Sequence, residues 1–551
     1  MAEPVANRYH AEEFTAPERA VLARHFTNLD APVFAIVHLP EVVKGALFAR
    51  YSRSAKSLRR LFLDEFLGNP DQGVAAIAEH LETQGPGASV RRAVELYDRM
   101  FMDYGDDSVA QLGGAHVACE QASNLLTKVL ERGRLAAYLE QSTRYIFFDK
   151  PLGGAYRYTV PPEVAGTALE ERYRTALDGL FDTYRDLVPR LTEFYEGLYP
   201  RAAQDSETVW RASLRARVCD DLRGLLPAAT LSNVGIYASA QAYEALLLRM
   251  RAHRLAEVRD YGDLLLAELR QVIPAFLKRV DLPERGGRWS AYFSQIDEQM
   301  EALAAGLQEP PPARPEVALV EWNPDGETEL AAAALYAYSD LPDDHLHERV
   351  RAMSDEERRR ILLTYIGERE NRRHKPGRAF EQTSYRFDVL ASYSVFRDLQ
   401  RHRLLTVEWQ KLSTAHGYDT PEAIDAIGAR APWDAALRRA ADLHADLHAG
   451  YGPQVAQYAV PFAYRVRFYF HLNAREAFHL LELRTQRGGD PAYRRICQEM
   501  HRLIRDEAGH RIVADAMRFV DHADYGLGRL DAERRSAEKR SAAEAGLTAG
   551  R

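Results

Sequence analysis

The sequence has few cysteines and no long apolar run, and each absence excludes a class of protein. Its three cysteines, Cys119, Cys219 and Cys497, lie far apart, so they offer neither a disulfide framework nor the paired spacing of a metal site. No window approaches the roughly 20 apolar residues of a membrane span. The segment from Met1 to Ala16 also lacks the apolar core of a secretory leader. We therefore expect a soluble, cytoplasmic protein.

Positive charge is also scarce. The formal net charge is -8 at pH 7, whereas a protein that neutralises nucleic-acid phosphates needs a basic surface. We therefore predict neither a nucleic-acid nor a membrane partner. A small anionic ligand held by a few arginines is compatible with this charge.

The length of the chain indicates more than one domain. At 551 residues it is too long for one ordinary core. The clearest linker is the run PPPARP at 310–315, because proline does not fit inside a helix. We predict an N-terminal arm at 1–35, a first domain at 36–304, a linker at 305–316, a second domain at 317–521 and a disordered tail at 522–551.

One stretch of the sequence occurs twice in different forms. The first copy runs over 132–145, and the second begins at Arg401. Apolar residues recur at helical spacing before each copy, which predicts helices at 117–130 and 391–400. The halves then share the same order of elements, so we expect an internal repeat.

Shorter patterns predict the strands. An apolar run at 145–148 predicts a strand directly after the first motif, and alternation predicts two more strands at 385–390 and 466–472. Helical spacing predicts a long helix at 169–198 and another helix from Ala474. These elements place both motifs beside strands and helix ends.

The repeated motifs resemble those of flavin-dependent thymidylate synthases. The residues that carry the resemblance are Arg401, His402 and Arg403 at a helix end, Asn473, Arg475 and Arg484 after Pro461, and Glu140, Ser142, Arg144 and Tyr145 in the first copy. The resemblance implies an α+β fold, here two fused copies of it, helix-rich with small antiparallel sheets. It also implies FAD, dUMP, methylenetetrahydrofolate and NADPH as ligands, and a homotetramer whose active sites draw on several subunits.

By this resemblance the first copy keeps the nucleotide-binding residues. The residues that stand where the family binds dUMP are Glu140, Ser142, Thr143, Arg144 and Arg223. In its triplet Gly133 replaces the family's histidine. Arginine suits a phosphate dianion because its planar fork binds oxygens in pairs.

The second copy keeps the complementary set. By resemblance, Arg401 and Arg484 reach dUMP bound by a neighbouring subunit, and the residues that bind FAD are His402, Arg403, Glu381, Asn473, Arg475 and His479. The resemblance gives catalytic roles to Arg401, Arg403 and Ser142. The family's reaction needs no cysteine nucleophile, and we predict no metal.

Each copy departs from the family where the other retains its pattern. In the second copy Lys411 replaces the motif serine. Gln457, four residues before Pro461, replaces the family's arginine at that position. Pro376 stands at the place of a family histidine, with His374 offset by two residues. Because the family's site forms between subunits, we expect one composite site per chain. Two chains would then form a pseudo-tetramer.

Two other interpretations are open at this stage. A non-catalytic relative that binds FAD or a nucleotide as a regulator or scaffold would explain the departures at Gly133, Pro376 and Lys411. A di-iron enzyme would use Glu507-Ala508-Gly509-His510, but a second such motif is needed on facing helices. For Glu381 and His479, a purely structural role is the competing explanation.

Overall fold

The computed structural model describes residues 12–67 with short gaps at 32–33, 40, 52–53 and 55, residues 111–307 except 204, and residues 312–535 except 533. The chain divides into two compact units. Unit 1 comprises residues 1–122, 129–140 and 233–309, and unit 2 comprises residues 123–128, 141–232 and 310–551. Among the described helices, none combines the length and the apolar character that a membrane crossing requires.

The elements follow one another in a helix-rich order. The α-helices are Ala16–His25 (α1), Glu41–Tyr51 (α2), Leu58–Leu61 (α3), Asn124–Leu130 (α4), Glu170–Leu198 (α5), Glu207–Leu222 (α6), Ala240–Arg251 (α7), Ala256–Val272 (α8), Arg288–Ala304 (α9), Gly326–Tyr336 (α10), Asp343–Arg351 (α11), Asp355–Ile366 (α12), Tyr393–Leu399 (α13), Glu422–Ala426 (α14), Arg430–Ala456 (α15), Ala474–Arg484 (α16), Pro491–Asp506 (α17) and Arg511–Ala516 (α18). The strands are Gly114–Ser123 (β1), Ala136–Glu140 (β2), Leu231–Ser239 (β3), Val317–Trp322 (β4), Ser384–Ser392 (β5), Thr406–Trp409 (β6) and Arg465–Asn473 (β7).

Unit 1 is built on a three-stranded sheet with the order β1-β3-β2. Strand β2 runs antiparallel to β3, with Ala136 opposite Ala238 and Glu140 opposite Val234. Along β3 buried and exposed residues alternate, as expected for a strand with one face on the core.

Unit 2 contains a four-stranded antiparallel sheet with the order β4-β5-β7-β6. Phe387 on β5 lies opposite Phe470 on β7, and both side chains are buried. Asn473 ends β7 and caps α16, because its side chain accepts a hydrogen bond from the backbone of Glu476. This cap fixes where α16 begins, and so which of its residues face the site described below.

The two sheets share the strand order of an internal repeat. β1, β3 and β2 occur in the same arrangement as β5, β7 and β6. Within unit 2, the equivalent prolines Pro227 and Pro461 form an antiparallel bridge with each other. The residues beside them exchange backbone hydrogen bonds of 2.8 and 2.9 Å. Equivalent segments of the two copies therefore meet around a local two-fold axis.

The predicted helix at 117–130 is wrong in its first half. Residues up to Ser123 belong to β1, and only Asn124–Leu130 is helical. The apolar residues there fit a helical period, but pairing within the sheet decides the conformation, because strand preference depends on neighbours. The helix that precedes the second motif, predicted at 391–400, is confirmed as the shorter α13.

The predicted strand at 145–148 is also wrong. These residues form turns and irregular backbone, and Tyr145 donates a backbone hydrogen bond to Ser142 at 3.4 Å. The strand of this region is β2, which lies within the motif at Ala136–Glu140 and before residue 145. The other predicted strands are confirmed as β5 and β7, and the predicted helices as α5 and α16.

The predicted ends of the chain fall partly outside the described residues. This applies to the first 11 residues of the predicted arm and to the predicted tail from residue 536 onward. Before that point Leu527 and Leu530 are buried, and Arg534 pairs with Asp205 at 2.6 Å. The domain bounds placed around 305–316 stay a prediction.

Candidate active site

Residues from both copies lie together in unit 2. Glu140 is the exception, because it ends β2 of unit 1, where its side chain is buried. The predicted site residues within unit 2 are Ser142, Thr143, Arg144 and Arg223 from the first copy and Glu381, Arg401, His402, Arg403, Asn473, Arg475, His479 and Arg484 from the second.

Arg144 is held by a buried carboxylate. Its Nε and Nη2 donate to the two oxygens of Asp220 at 2.6 and 2.7 Å, and its Nη1 donates to the Tyr493 hydroxyl at 3.2 Å. Burial alone would lower the pKa of Arg144, but Asp220 raises it well above the usual value. The guanidinium is therefore charged, oriented and only 12% exposed.

Two contacts fix the loop that carries Arg144. Arg397 Nη1 donates to the buried Thr143 hydroxyl at 3.2 Å, and the Arg144 backbone N–H donates to Ser142 Oγ at 3.2 Å. Arg397 comes from α13 of the second copy and Thr143 from the first. The loop at 142–144 of the first copy is thus held by α13 of the second copy.

Arg223 lies in a buried ion cluster. Its guanidinium nitrogens donate to Asp398 at 2.9 Å and to Asp490 at 2.5 Å, and only 2% of its side chain is exposed. Arg401 approaches the other oxygen of Asp398 at 3.9 Å. Burial alone would raise the pKa of Asp398, but Arg223 and Arg401 lower it well below its usual range. Asp398 therefore links an arginine of each copy.

His402 is the centre of a second network. Its Nδ1 lies 3.0 Å from Glu476 Oε1, and Arg484 Nε donates to its Nε2 at 2.9 Å. This pairing places the ring proton on Nδ1. Burial lowers the pKa of His402 to about 4. Burial alone would raise the pKa of Glu476, but hydrogen bonds from His402 and His479 lower it to about 2. At neutral pH we therefore assign a neutral imidazole beside a carboxylate.

One aromatic side chain joins the two networks. The guanidinium carbons of Arg144 and Arg484 lie 5.7 and 5.5 Å from the centre of the Tyr493 ring. Both distances are within the range of cation–π contacts. Tyr493 on α17 therefore orients one arginine from each copy.

The remaining predicted cofactor residues lie around the start of α16. Arg475 Nε donates to the Pro376 carbonyl at 3.0 Å, and its Nη1 lies 3.5 Å from Glu381. His479 is partly exposed and lies 3.3 Å from Glu476. Arg401 and Arg403 are exposed just after the end of α13. Positive groups thus outnumber carboxylates on this surface.

A cavity of about 870 Å³ adjoins these networks in unit 2. Asp220 and Asp490, which hold Arg144 and Arg223, line one side of it together with Asp221. Burial raises the pKa of Asp221 to about 6. The arginine cluster and the cavity therefore share their carboxylates.

Sequence reasoning missed the partners of the arginines. These are Asp220, Asp398, Asp490, Glu476 and Tyr493. Glu476 lies on α16 between the predicted residues Arg475 and His479, and Asp398 lies three residues before Arg401, near the end of α13. Helical spacing could have supplied this signal. No spacing connects Asp490 or Tyr493 to the motifs.

The departures in the two motifs have a physical explanation. A Cβ at Gly133 would lie 2.6 Å from the Tyr138 hydroxyl, so a histidine there would require the half-buried Tyr138 side chain to shift. Gln457 is buried, and it accepts a hydrogen bond from the Leu412 backbone at 3.0 Å. Gln457 is therefore used in the packing of its own copy, and Gly133 leaves room for the Tyr138 hydroxyl.

The di-iron interpretation fails at its histidine. His510 uses one ring nitrogen toward the Tyr385 hydroxyl at 2.8 Å and the other toward the Asn323 carbonyl at 2.9 Å. Among the described residues, one group of ligand-type side chains, His402, Glu476 and His479, has its atoms within 4.8 Å of one another. Arg484 already donates to His402 there.

The three cysteines are buried and form no disulfide. Burial raises the pKa of the Cys119 thiol to about 11 and those of Cys219 and Cys497 to about 12. All three are therefore protonated at neutral pH and poor nucleophiles.

The buried histidine predicts a pH dependence of stability. The pKa of His402 is lowered from 6.5 to about 4. The contribution of the neutral ring to the free energy of unfolding is therefore complete above pH 6.5, and it is lost as the pH falls through 4. One proton corresponds to a slope of at most about 1.4 kcal/mol per pH unit. We expect His402→Gln to flatten the urea midpoint profile between these limits, whereas the exposed-site control His448→Gln keeps the wild-type slope. Equal slopes in all three proteins would contradict the assignment.

Together these features define an α+β protein made of two copies of one fold, with an arginine-rich cluster to which both copies contribute. The chain belongs to the thymidylate synthase complementing protein family, whose model matches residues 63–275 and again residues 318–508. The double match confirms the resemblance and the two-copy organisation inferred from the sequence.

Similar proteins include a UPF0159 protein of Chlamydia pneumoniae, 40% identical over 531 residues that cover 95% of this chain and 98% of that protein. A UPF0159 protein of Thermoplasma acidophilum is 31% identical over 520 residues, which cover 89% of this chain and 97% of that protein. A flavin-dependent thymidylate synthase of Clostridium tetani is 24% identical over 226 residues, covering 39% of this chain and 83% of that enzyme. Less than half of this chain therefore aligns with most of that synthase.

Proposed function

We propose that this protein is a flavin-dependent thymidylate synthase that methylates dUMP to dTMP with methylenetetrahydrofolate and NADPH-reduced FAD, in a composite site. The observation that carries the proposal is the connected network in unit 2. There Arg144 of the first copy shares Tyr493 with Arg484 of the second, and Arg223 shares Asp398 with Arg401. The relatedness to flavin-dependent thymidylate synthases supports the reaction class.

Arg144 is the main candidate for the dUMP phosphate. Two hydrogen bonds to Asp220 orient the guanidinium through Nε and Nη2, so Nη1, which donates to the Tyr493 hydroxyl at 3.2 Å, is the nitrogen that would turn to the phosphate. Ser142 and the backbone of the loop add further polar groups beside it. Arg401 and Arg484 add positive charge for the nucleotide from the second copy, and Glu140 is our candidate for a further nucleotide contact.

Arg223 has a different role in this proposal. Its two terminal nitrogens are already paired with Asp398 and Asp490. Arg223 therefore holds these two carboxylates in place and does not bind the nucleotide itself. Thr143, paired with Arg397, likewise positions the loop.

The donor set around α16 fits FAD. The exposed or half-exposed cations there suit a pyrophosphate and an anionic reduced ring, and our cofactor residues are Glu381, His402, Arg403, Asn473, Arg475 and His479. When bound, FAD would supply the hydride-transfer chemistry. We keep Arg401, Arg403 and Ser142 as the groups that contact the reacting nucleotide.

His402 has one defined task in this scheme. Glu476 holds the ring proton on Nδ1, so Nε2 is an acceptor that orients Arg484. A neutral ring keeps this arrangement constant through physiological pH. A metal ion at His402, Glu476 and His479 is disfavoured, because it would displace Arg484 or lie beside its positive charge.

The complementary departures support one site per chain. Gly133 and Gln457 lie in the half-motifs that the composite site does not use, and Gln457 instead accepts a hydrogen bond from the Leu412 backbone. Two chains would then form a pseudo-tetramer with two complete sites. We further propose that the protein acts in the cytoplasm.

The decisive experiment is anaerobic incubation of the purified protein with dUMP, FAD, methylenetetrahydrofolate and NADPH, followed by mass-spectrometric detection of dTMP. We expect dTMP above a boiled control.

We expect His402→Gln to lower the rate of dTMP formation about 100-fold, as for loss of a buried positioning group, and His448→Gln to keep the wild-type rate. Binding of FAD and dUMP without dTMP would instead favour the regulator or scaffold interpretation, and would draw attention to Pro376 and Lys411.

A further inference from the structure

The loop that joins α12 to β5 carries positive charge that the proposed site does not use. Arg372 and Lys375 are half-buried and Arg373 is exposed. Within the described part of the chain, none of these three side chains forms an ion pair or a hydrogen bond. Like charges held on so short a loop repel one another. Their arrangement therefore favours an anion that comes from outside the chain.

Hydrogen bonds give this loop a defined shape. The His374 backbone N–H donates to the Asn371 carbonyl at 3.1 Å, which closes a β-turn with Arg372 and Arg373 at its two central positions. The Arg373 backbone N–H donates to the Asn371 side chain at 2.9 Å, and the amide nitrogen of that side chain lies 3.1 Å from the His374 ring. A hydrogen-bonded turn therefore presents both arginines.

Two further arginines fix the backbone on either side of Lys375. Arg369, whose side chain is only 2% exposed, donates to the His374 carbonyl. Arg475 Nε donates to the Pro376 carbonyl at 3.0 Å. The position of Lys375 is thus set before any ligand binds.

The carboxylates near this loop are paired elsewhere. Glu482 accepts two hydrogen bonds from Arg369 at 2.7 and 2.6 Å. Glu476 contacts His402 at 3.0 Å. The carboxylates of the loop itself, which are exposed and pair with none of the three cations in the described structure, are Glu368 and Glu370.

The pKa of Lys375 reflects the same surroundings. Burial lowers this pKa, and the charges of Arg475 and Arg372 lower it further, whereas Glu476 and Glu482 act in the opposite direction. Lys375 therefore lies close to both arginines, and its own charge adds to theirs.

The charge of this set fits a phosphate monoester. A monoester carries about -1.5 to -2 charges at pH 7 and has three strongly accepting oxygens. A carboxylate, or either phosphate of the FAD pyrophosphate, carries a single charge. Arginine binds phosphate oxygens in pairs, and lysine acts as a point charge. Two arginines and a lysine therefore match a dianion better than a monoanion.

We propose that Arg372, Arg373 and Lys375 bind a phosphate monoester and so select the reductant, because the 2′-phosphate is the group that distinguishes NADPH from NADH. Arg475, one of our cofactor residues, donates to the backbone beside Lys375, so the loop borders the proposed flavin site. The identity of the occupant as NADPH rests on the proposed function, whereas the phosphate site is testable without it.

Calorimetric titration of the full chain with NADP⁺, NAD⁺ and 5′-AMP, without FAD, dUMP or folate, tests the site. We expect NADP⁺ to bind at least about 10-fold more tightly than either of the others, as for a charged hydrogen-bonded contact. Arg372→Gln with Arg373→Gln is expected to abolish the preference for NADP⁺ over NAD⁺, and so is Lys375→Met. Lys375→Arg should keep most of it. Arg349→Gln, at an exposed arginine on α11, is the matched control and should bind as the wild type does.

Three results would overturn the proposal. Equal affinities for NADP⁺ and NAD⁺ would mean that the 2′-phosphate is not recognised. A preference for NADP⁺ that survives in both loop variants would place the phosphate on another part of the chain. If 5′-AMP binds as tightly as NADP⁺ and loses affinity in the loop variants, the loop serves free nucleotides and not the reductant.

Rates of dTMP formation with NADPH and with NADH separate this inference from the proposed function. If the wild-type chain forms no dTMP but prefers NADP⁺ through the loop, the synthase proposal fails and the phosphate site stands. If it forms dTMP equally fast with both reductants, the synthase proposal stands and the selection of NADPH fails.

Discussion

Replacing Arg144 by glutamine is expected to raise the dissociation constant for dUMP by about 100-fold, because a hydrogen bond between a charged guanidinium and a phosphate contributes up to about 3 kcal/mol. The readout is calorimetric titration of dUMP in the absence of folate. Arg215→Gln, at an exposed arginine on α6, is the matched control and should bind as the wild type does.

The same substitution also leaves Asp220 without its bidentate partner, so a loss of binding needs to be separated from a loss of stability. The double variant Arg144→Gln with Asp220→Asn removes both charges of the pair. We expect it to recover most of the thermal stability and none of the dUMP affinity. If it binds dUMP as tightly as the wild type, Arg144 is not the phosphate ligand.

Replacing Arg223 by methionine is expected to lower stability by about 3–5 kcal/mol, because Asp398 and Asp490 would be left as buried, uncompensated charges. For a domain of this size that corresponds to a fall in Tm of roughly 6–20 °C. Thermal unfolding followed by circular dichroism measures it. The control Arg211→Met, at a 65% exposed ion pair on α6, the helix that ends just before Arg223, should change Tm by less than about 2 °C.

This experiment also decides between two roles for Arg223. The sequence predicts a dUMP ligand, whereas its contacts favour an internal ion cluster. If Arg223→Met keeps the wild-type Tm and loses dUMP affinity, the ligand role is correct. If Tm falls and Arg223→Met with Asp398→Asn and Asp490→Asn recovers it, the internal role is correct.

Motif spacing predicted which residues belong together better than it predicted their conformation. Both copies of the motif and the repeated order of elements were accessible because motifs and hydrophobic periods are local properties of the chain, whereas the α+β class came from the resemblance to the family. The two wrong predictions, at 117–123 and 145–148, also came from the use of local patterns, because a local pattern does not show which segments pair in a sheet. A segment with a helical apolar period became β1 once it paired with β3, and the strand expected at 145–148 was the preceding β2.

By itself, the sequence determined that this protein is a divergent two-copy member of its family, and it predicted that the retained motif residues are complementary between the copies. Tertiary structure decided how those residues are held. Asp398 and Asp490 lie 175 and 267 positions from Arg223, and Tyr493 lies 349 positions from Arg144. Only folding brings such groups within hydrogen-bond distance, because the cost of burying a charge depends on its neighbours in space and not on its neighbours in sequence.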